Sequence, residues 1–125
     1  MPTIAVLGAS RDRRKYGNKC VRAYAQAGYE VFPIHPSEGE IEGRAAFLSL
    51  ALVPQPLDRV SVYLPPAVTL SLLDELATTN VGEIWLNPGS ADDAVLKAAA
   101  RLELPIRPGC SIIDIGLWPA LFPDS

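Results

Sequence analysis

The sequence predicts an α/β domain: a doubly wound, parallel five-stranded sheet in a single unit. Two observations predict it. Short apolar segments alternate with helix-period segments along the whole chain, the pattern of βαβ units. The 125 residues suffice for one domain with a core of its own.

The elements follow in order. Residues 3–8 read as a fully buried strand that ends in Gly8. From Tyr16 to Ala27 the period becomes helical, with Cys20, Val21, Tyr24, Ala25 and Ala27 on one face and Lys19, Arg22 and Gln26 on the other. Gly28 stands where a C-terminal cap belongs. Glu30–Ile34 is the second strand. His35–Gly43 reads as a loop, and residues 46–52 as one short helix. The third strand lies within Leu57–Leu64 and stops at Pro65-Pro66. Leu72, Leu73, Leu76 and Ala77 mark the next helix. Glu83–Leu86 is the fourth strand, ended by Asn87-Pro88-Gly89. Ser90-Ala91-Asp92-Asp93 reads as a capping box, followed by the buried stripe of Val95, Ala98, Ala99 and Leu102. Leu104–Arg107 is the fifth strand. The fold is thus Rossmann-like, with expected strand order 3-2-1-4-5, as one domain over residues 1–125. In such sheets ligands bind beyond the carboxyl ends of the strands, where the strand order reverses.

Arg11, Arg13, Arg14, Lys15, Lys19 and Arg22 make up more than half of the chain's 11 Lys and Arg. They follow the Gly8-Ala9-Ser10 turn directly, although the chain carries 14 Asp and Glu and a net charge of −3. A basic loop on an acidic protein, between a buried strand and a helix start, is the signature of a polyanionic ligand. The acidic balance argues against nucleic acid as a partner. No apolar run approaches a membrane span. A strand that begins at residue 3 leaves no room for a signal peptide, so the expected location is cytoplasmic. Cys20 and Cys110 then read as free thiols. One histidine and no Cys-x-x-Cys spacing leave no metal site.

The loops after the five strands should rim one crevice: Gly8–Gly17, His35-Pro36, Leu64-Pro65-Pro66, Asn87-Pro88-Gly89 and Pro108-Gly109-Cys110. The dinucleotide fingerprint G-x-G-x-x-G is absent, and His35-Pro36 stands where a ribose-binding acid would end the second strand. His35 is placed to stack on a base or donate to a phosphate; it reads equally as a plain loop residue. Cys110 has no second histidine to activate it and reads as a structural or ligand-adjacent thiol. Glu38, Glu40 and Glu42 read as a solvated loop. The apolar stretch Leu117–Phe122 either folds back over the sheet edge or makes a homodimer contact.

Together these features resemble the small stand-alone CoA-binding proteins, which are similar to the N-terminal CoA-binding domain of the succinyl-CoA synthetase α subunit. The resemblance spans residues 3–113. It rests on Ile4–Ser10, Lys15-Tyr16-Gly17, Gly28–Pro36, Ile41-Glu42-Gly43, Ser49-Leu50, Ile84-Trp85-Leu86 with Gly89, and Cys110. It implies coenzyme A, free or acylated, as the ligand. Gly8, Ala9, Ser10, Arg13, Arg14, Lys15, Tyr16 and Gly17 would then face the phosphates. His35, Pro36, Leu64, Pro65 and Pro66 would flank the nucleotide, and Asn87, Pro88 and Gly89 the pantetheine arm, with Cys110 at the rim. The synthetase reaction also uses a ligase domain with a phosphorylatable histidine, which these residues do not contain. The resemblance therefore implies binding without turnover. Two other readings stay open: an NAD(P)-binding or redox-sensing domain, and a protein-interaction domain without a ligand.

Overall fold

The computed structural model describes residues 1–54 and 56–125. In chain order the elements are β1 (Thr3–Leu7), α1 (Tyr16–Gln26), β2 (Glu30–Ile34), β3 (Glu40–Ile41), β4 (Arg44–Ala45), β5 (Leu57–Val62), α2 (Pro66–Thr78), β6 (Val81–Leu86), α3 (Asp93–Arg101), β7 (Ile106–Pro108) and α4 (Ser111–Asp114). Five strands form a parallel sheet in the order β2-β1-β5-β6-β7, and β3 and β4 make a separate two-stranded ribbon.

That order corrects the expected 3-2-1-4-5. The third long strand pairs with β1, Ala5 opposite Val60, rather than outside β2. Pro33 supplies the physical reason. Proline has no N–H to give a ladder, so it belongs on an edge strand. The outer side of β2 is instead closed by Phe47, whose N–H donates to the Pro33 carbonyl at 2.9 Å and whose carbonyl accepts from His35 N at 2.9 Å. The chain between β2 and β5 is therefore not the plain loop and helix expected. It holds the β3–β4 ribbon, then Phe47 against β2, then a single 3-10 turn at Leu50–Leu52.

Alternation along the strands builds two cores. Ala5, Leu7, Val60 and Val62 face α2 and α3, against Leu73, Leu76, Val95 and Ala99. Ile4 and Val6 face the opposite way, against Val21, Tyr24 and Ile112. Helix α1 ends in a Schellman motif, with Gly28 at φ +89°. The Tyr29 N–H reaches the Tyr24 carbonyl at 3.0 Å and Gly28 N–H the Ala25 carbonyl at 3.2 Å. Helix α3 is capped by Asp92, which accepts from Val95 N at 3.0 Å. Ser90 takes no part in that cap; its hydroxyl donates to the Asn87 carbonyl.

The C-terminal segment folds back, onto α1 rather than over the sheet edge. Phe122 is buried in the α1-side core, Arg22 lies over its ring, and Lys19 Nζ meets Asp124 at 2.7 Å. This cover buries Lys19, read from the sequence as solvent-facing, while Ala23 rather than Ala27 completes the inner face. Removing residues beyond Ile115 exposes the Phe122 pocket. Burying a Phe contributes about 1.5–3 kcal/mol, so the truncated chain should melt roughly 5–10 °C lower. An unchanged melt would show that the tail does not hold this packing. A change in solution mass would show instead that it joins two copies.

Candidate functional site

Register places the site. Leu7 pairs with both Ile34 and Val62, Val62 pairs with Leu86, and Leu86 with Pro108. The five chains leave the sheet at one level, and the loops after β1, β2, β5 and β6 enclose a cleft of about 920 Å³. The loop after β7, expected on the same rim, stays out of it, with Cys110 on a smaller space alongside and Pro108 and Gly109 on neither. The observed strand order reverses between β1 and β5, so the switch point lies where Gly8 meets Tyr63.

Two glycines bring the parts of the site together. Gly8 has φ +85°, and a Cβ there would stand 2.3 Å from the Tyr63 carbonyl oxygen. A Cβ on Gly17 would stand 2.1 Å from the Gly8 carbonyl oxygen. The start of α1 therefore sits directly on the turn after β1. No side chain caps α1. The Asn18 and Lys19 amides turn back to the Lys15 carbonyl, both at 3.1 Å, and Tyr16 and Gly17 bring the start of the helix, its positive end, to the cleft wall.

Of the residues singled out in the sequence, Gly8, Ala9, Ser10, Arg14, Lys15, Tyr16, Gly17, His35, Pro36, Leu64, Pro65, Pro66, Pro88 and Gly89 line this cleft. Asn87 and Cys110 line a smaller compartment beside it. Arg13 lines neither; its guanidinium pairs with Glu42. Glu42 is no solvated loop residue. Burial opposes its ionisation, but hydrogen bonds from Asn18 and Arg13 outweigh that and hold its carboxyl below the ordinary value.

Most of the basic loop is neutralised internally. Arg14 grips Asp12 with both ends of its fork, at 3.0 and 2.9 Å. Hydrogen bonds from Arg14 lower the Asp12 carboxyl to about 2. Arg11 faces Glu38 at 3.4 Å. Among the described residues, Lys15 forms no ion pair. His35 Nδ1 accepts from the Ser37 and Glu38 amides at 3.0 and 2.9 Å. It shapes the turn and leaves Nε2 as the ring's donor.

Sequence reasoning missed Leu48, Val68, Leu72 and Glu75 as cleft residues. Phe47, bridged to Ile34, carries Leu48–Leu50 to the rim. Val68, Leu72 and Glu75 recur at helical spacing on α2, so the spacing was present in the sequence, but Leu72 reads there as part of the core stripe, which it also touches, and Glu75 carries a charge that hides the shared face. Below the cleft floor Asn87 is fixed in a buried polar cluster. Its Nδ2 donates to Ser61 Oγ and the Val62 carbonyl, and its Oδ1 accepts from Ser111 N, all at 2.9 Å. The Cys20 thiol lies in the same cluster, pushed up to about 11 by burial. No helix is long and apolar enough to cross a membrane, and no group that would hold a metal ion occurs among the described residues.

Comparison with known proteins finds the same fold elsewhere. A conserved hypothetical protein from Pyrococcus furiosus superposes with a TM-score of 0.84 at 26% identity, covering 91% of this chain and 99% of that one. A Thermus thermophilus protein gives a TM-score of 0.83 at 30% identity, covering 90% and 87%. The dinucleotide-forming acetyl-coenzyme A synthetase 1 of Ca. Korarchaeum cryptofilum shares the fold at a TM-score of 0.72 and 23% identity, over 83% of this chain and 25% of that one. The CoA binding domain model matches residues 2–115, and the chain belongs to that family.

Proposed function

We propose that this chain binds coenzyme A, free or acylated, across the strand ends and performs no chemistry on it. One observation carries the reading: the Gly8 turn, the uncapped start of α1 and the unpaired Lys15 converge on one side of the cleft. That convergence suits a diphosphate. The nucleoside then lies toward His35-Pro36 and the apolar walls of Leu48, Leu50, Val68 and Leu72. Glu75, one turn beyond Leu72, keeps phosphate away from that end. The pantetheine arm runs over Pro88 and Gly89. The absence of chemistry is supported by what the reactive groups do here. His35 uses Nδ1 to hold its own turn, and the Cys20 thiol is buried and protonated at neutral pH.

Calorimetry tests the reading. CoA should bind most tightly, dephospho-CoA less so and NAD least, because no acid at the end of β2 selects a free ribose. Acetyl-CoA recovered after incubation should keep its thioester. NAD binding tighter than CoA would overturn the ligand, thioester hydrolysis would overturn the passive role, and no saturable binding of any of these would leave a protein-interaction domain.

A further inference from the structure

Beside the cleft lies a side compartment of about 200 Å³, lined by Tyr16, Tyr63, Asn87, Pro88, Cys110 and Pro119. Tyr16, Tyr63 and Pro88 line both spaces, so the two adjoin across these three residues on the side of β6 and β7. This is the side toward which the pantetheine arm points in the proposed reading, and the inference rests on that reading. We infer that the compartment receives the acyl group of a short, uncharged acyl-CoA.

Its chemistry selects such a group. None of its lining residues is Lys, Arg, His, Asp or Glu. Both ends of the Asn87 amide are engaged in the buried cluster beneath, so Asn87 shows the compartment no free donor. The Tyr63 hydroxyl faces Ser111 Oγ at 3.5 Å, and burial pushes its phenol above the ordinary value; it stays neutral. A cysteine thiol in such a wall behaves as a small apolar group. An acyl carboxylate would be desolvated here without a cation to meet it, which is unfavourable. Size sets the other limit. At about 30 Å³ per water-sized group, the space holds a chain of roughly six heavy atoms. Two to four acyl carbons fit, and a long chain must leave the compartment for solvent.

The test is calorimetric, with CoA and its acetyl, butyryl, succinyl and palmitoyl thioesters. Each buried methylene should tighten binding about fourfold; with partial burial, butyryl-CoA should bind roughly tenfold tighter than CoA. Succinyl-CoA should gain nothing over CoA, and palmitoyl-CoA no more than butyryl-CoA. In Cys110→Phe, which fills the compartment, the ratio of CoA to butyryl-CoA dissociation constants should fall from about ten to about one. If that variant does not fold, Cys110→Ala serves instead, and should move the preferred acyl group to a longer chain. Equal affinity for CoA and butyryl-CoA, or an equal gain for succinyl-CoA, overturns the acyl compartment while CoA binding stands. A butyryl preference unchanged in folded Cys110 variants places the acyl group elsewhere and also overturns it. Failure of CoA itself to bind overturns the ligand reading, and this inference with it.

Discussion

Gly17→Ala is expected to lower both stability and CoA affinity, although alanine is the better helix former. The propensity gain is at most about 1 kcal/mol. Against it stands a Cβ placed 2.1 Å from the Gly8 carbonyl oxygen and 2.9 Å from its carbon. Both atoms belong to backbone that is fixed by β1 and by the hydrogen bond from Tyr63 N to the Leu7 carbonyl, so neither can swing aside as a side chain would. Helix α1 must lift off the turn instead. Overpacking of this kind costs about 1–3 kcal/mol, occasionally more. The same movement carries the first-turn amides away from the Gly8–Ser10 turn, so the affinity for CoA should fall by at least about tenfold. Gly28→Ala is the control. Gly28, unlike the helical Gly17, has positive φ, +89°, and nothing lies within 4 Å of its Cβ position. That variant should lose only the roughly 1–2 kcal/mol of left-handed strain and bind CoA as the parent does. If thermal melts and calorimetry show Gly17→Ala indistinguishable from Gly28→Ala in affinity, the contact between helix and turn does not shape the ligand site.

Gly8 and Gly17 also show what the sequence could and could not disclose. Measured against G-x-G-x-x-G, their spacing looks like a failed fingerprint. In the fold Gly17 makes a close approach to the first turn all the same, because the residues between the two glycines form a basic loop that leaves the turn and returns. The five strands were legible from apolar runs and their breakers, since each element's own pattern agrees with its place in the sheet. Strand order was the exception. A run such as Leu57–Val62 looks the same beside β1 or outside β2, and only Pro33, read as an edge marker, separates the two. The cleft's glycines and prolines were legible because backbone constraints are written locally. Which arginine faces inward was not. Arg13 and Arg14 are adjacent, and their directions are decided by Glu42 and Asp12. Glu42 is far away in sequence, on the turn between β3 and β4, a ribbon too short for periodicity to reveal.

That division of the basic loop leads to the remaining large effect: Lys15→Ala should weaken CoA binding roughly ten- to hundredfold. A charge-assisted hydrogen bond to phosphate contributes about 1.5–3 kcal/mol, which corresponds to that range. Lys15 stands at the N-terminal cap of α1 and lines the cleft without an ion-pair partner, so it meets phosphate without first breaking another contact. Arg14 also lines the cleft but is already held by Asp12. That pair is solvent-exposed on the arginine side, and exposed pairs contribute little, so a phosphate can take Arg14 over. The exchange makes the Arg14→Ala loss smaller than that of Lys15→Ala, and it makes Asp12→Asn a gain, since the competing carboxylate is removed. Because Arg14 holds the Asp12 carboxyl down to about 2, the pair stays ionised from about pH 4 upward and protonation does not assist the exchange in that range. Arg13→Ala should change affinity least of the three alanine variants, for Arg13 is committed to Glu42 and lies outside the cleft. Added salt should weaken binding to the parent more than to Lys15→Ala, whose phosphate contact is already gone. Calorimetry of the four variants at two ionic strengths decides the matter. Parent-like affinity in Lys15→Ala, or a loss in Arg13→Ala as large as that expected for Lys15→Ala, would mean that the phosphates lie on another part of the strand-end rim.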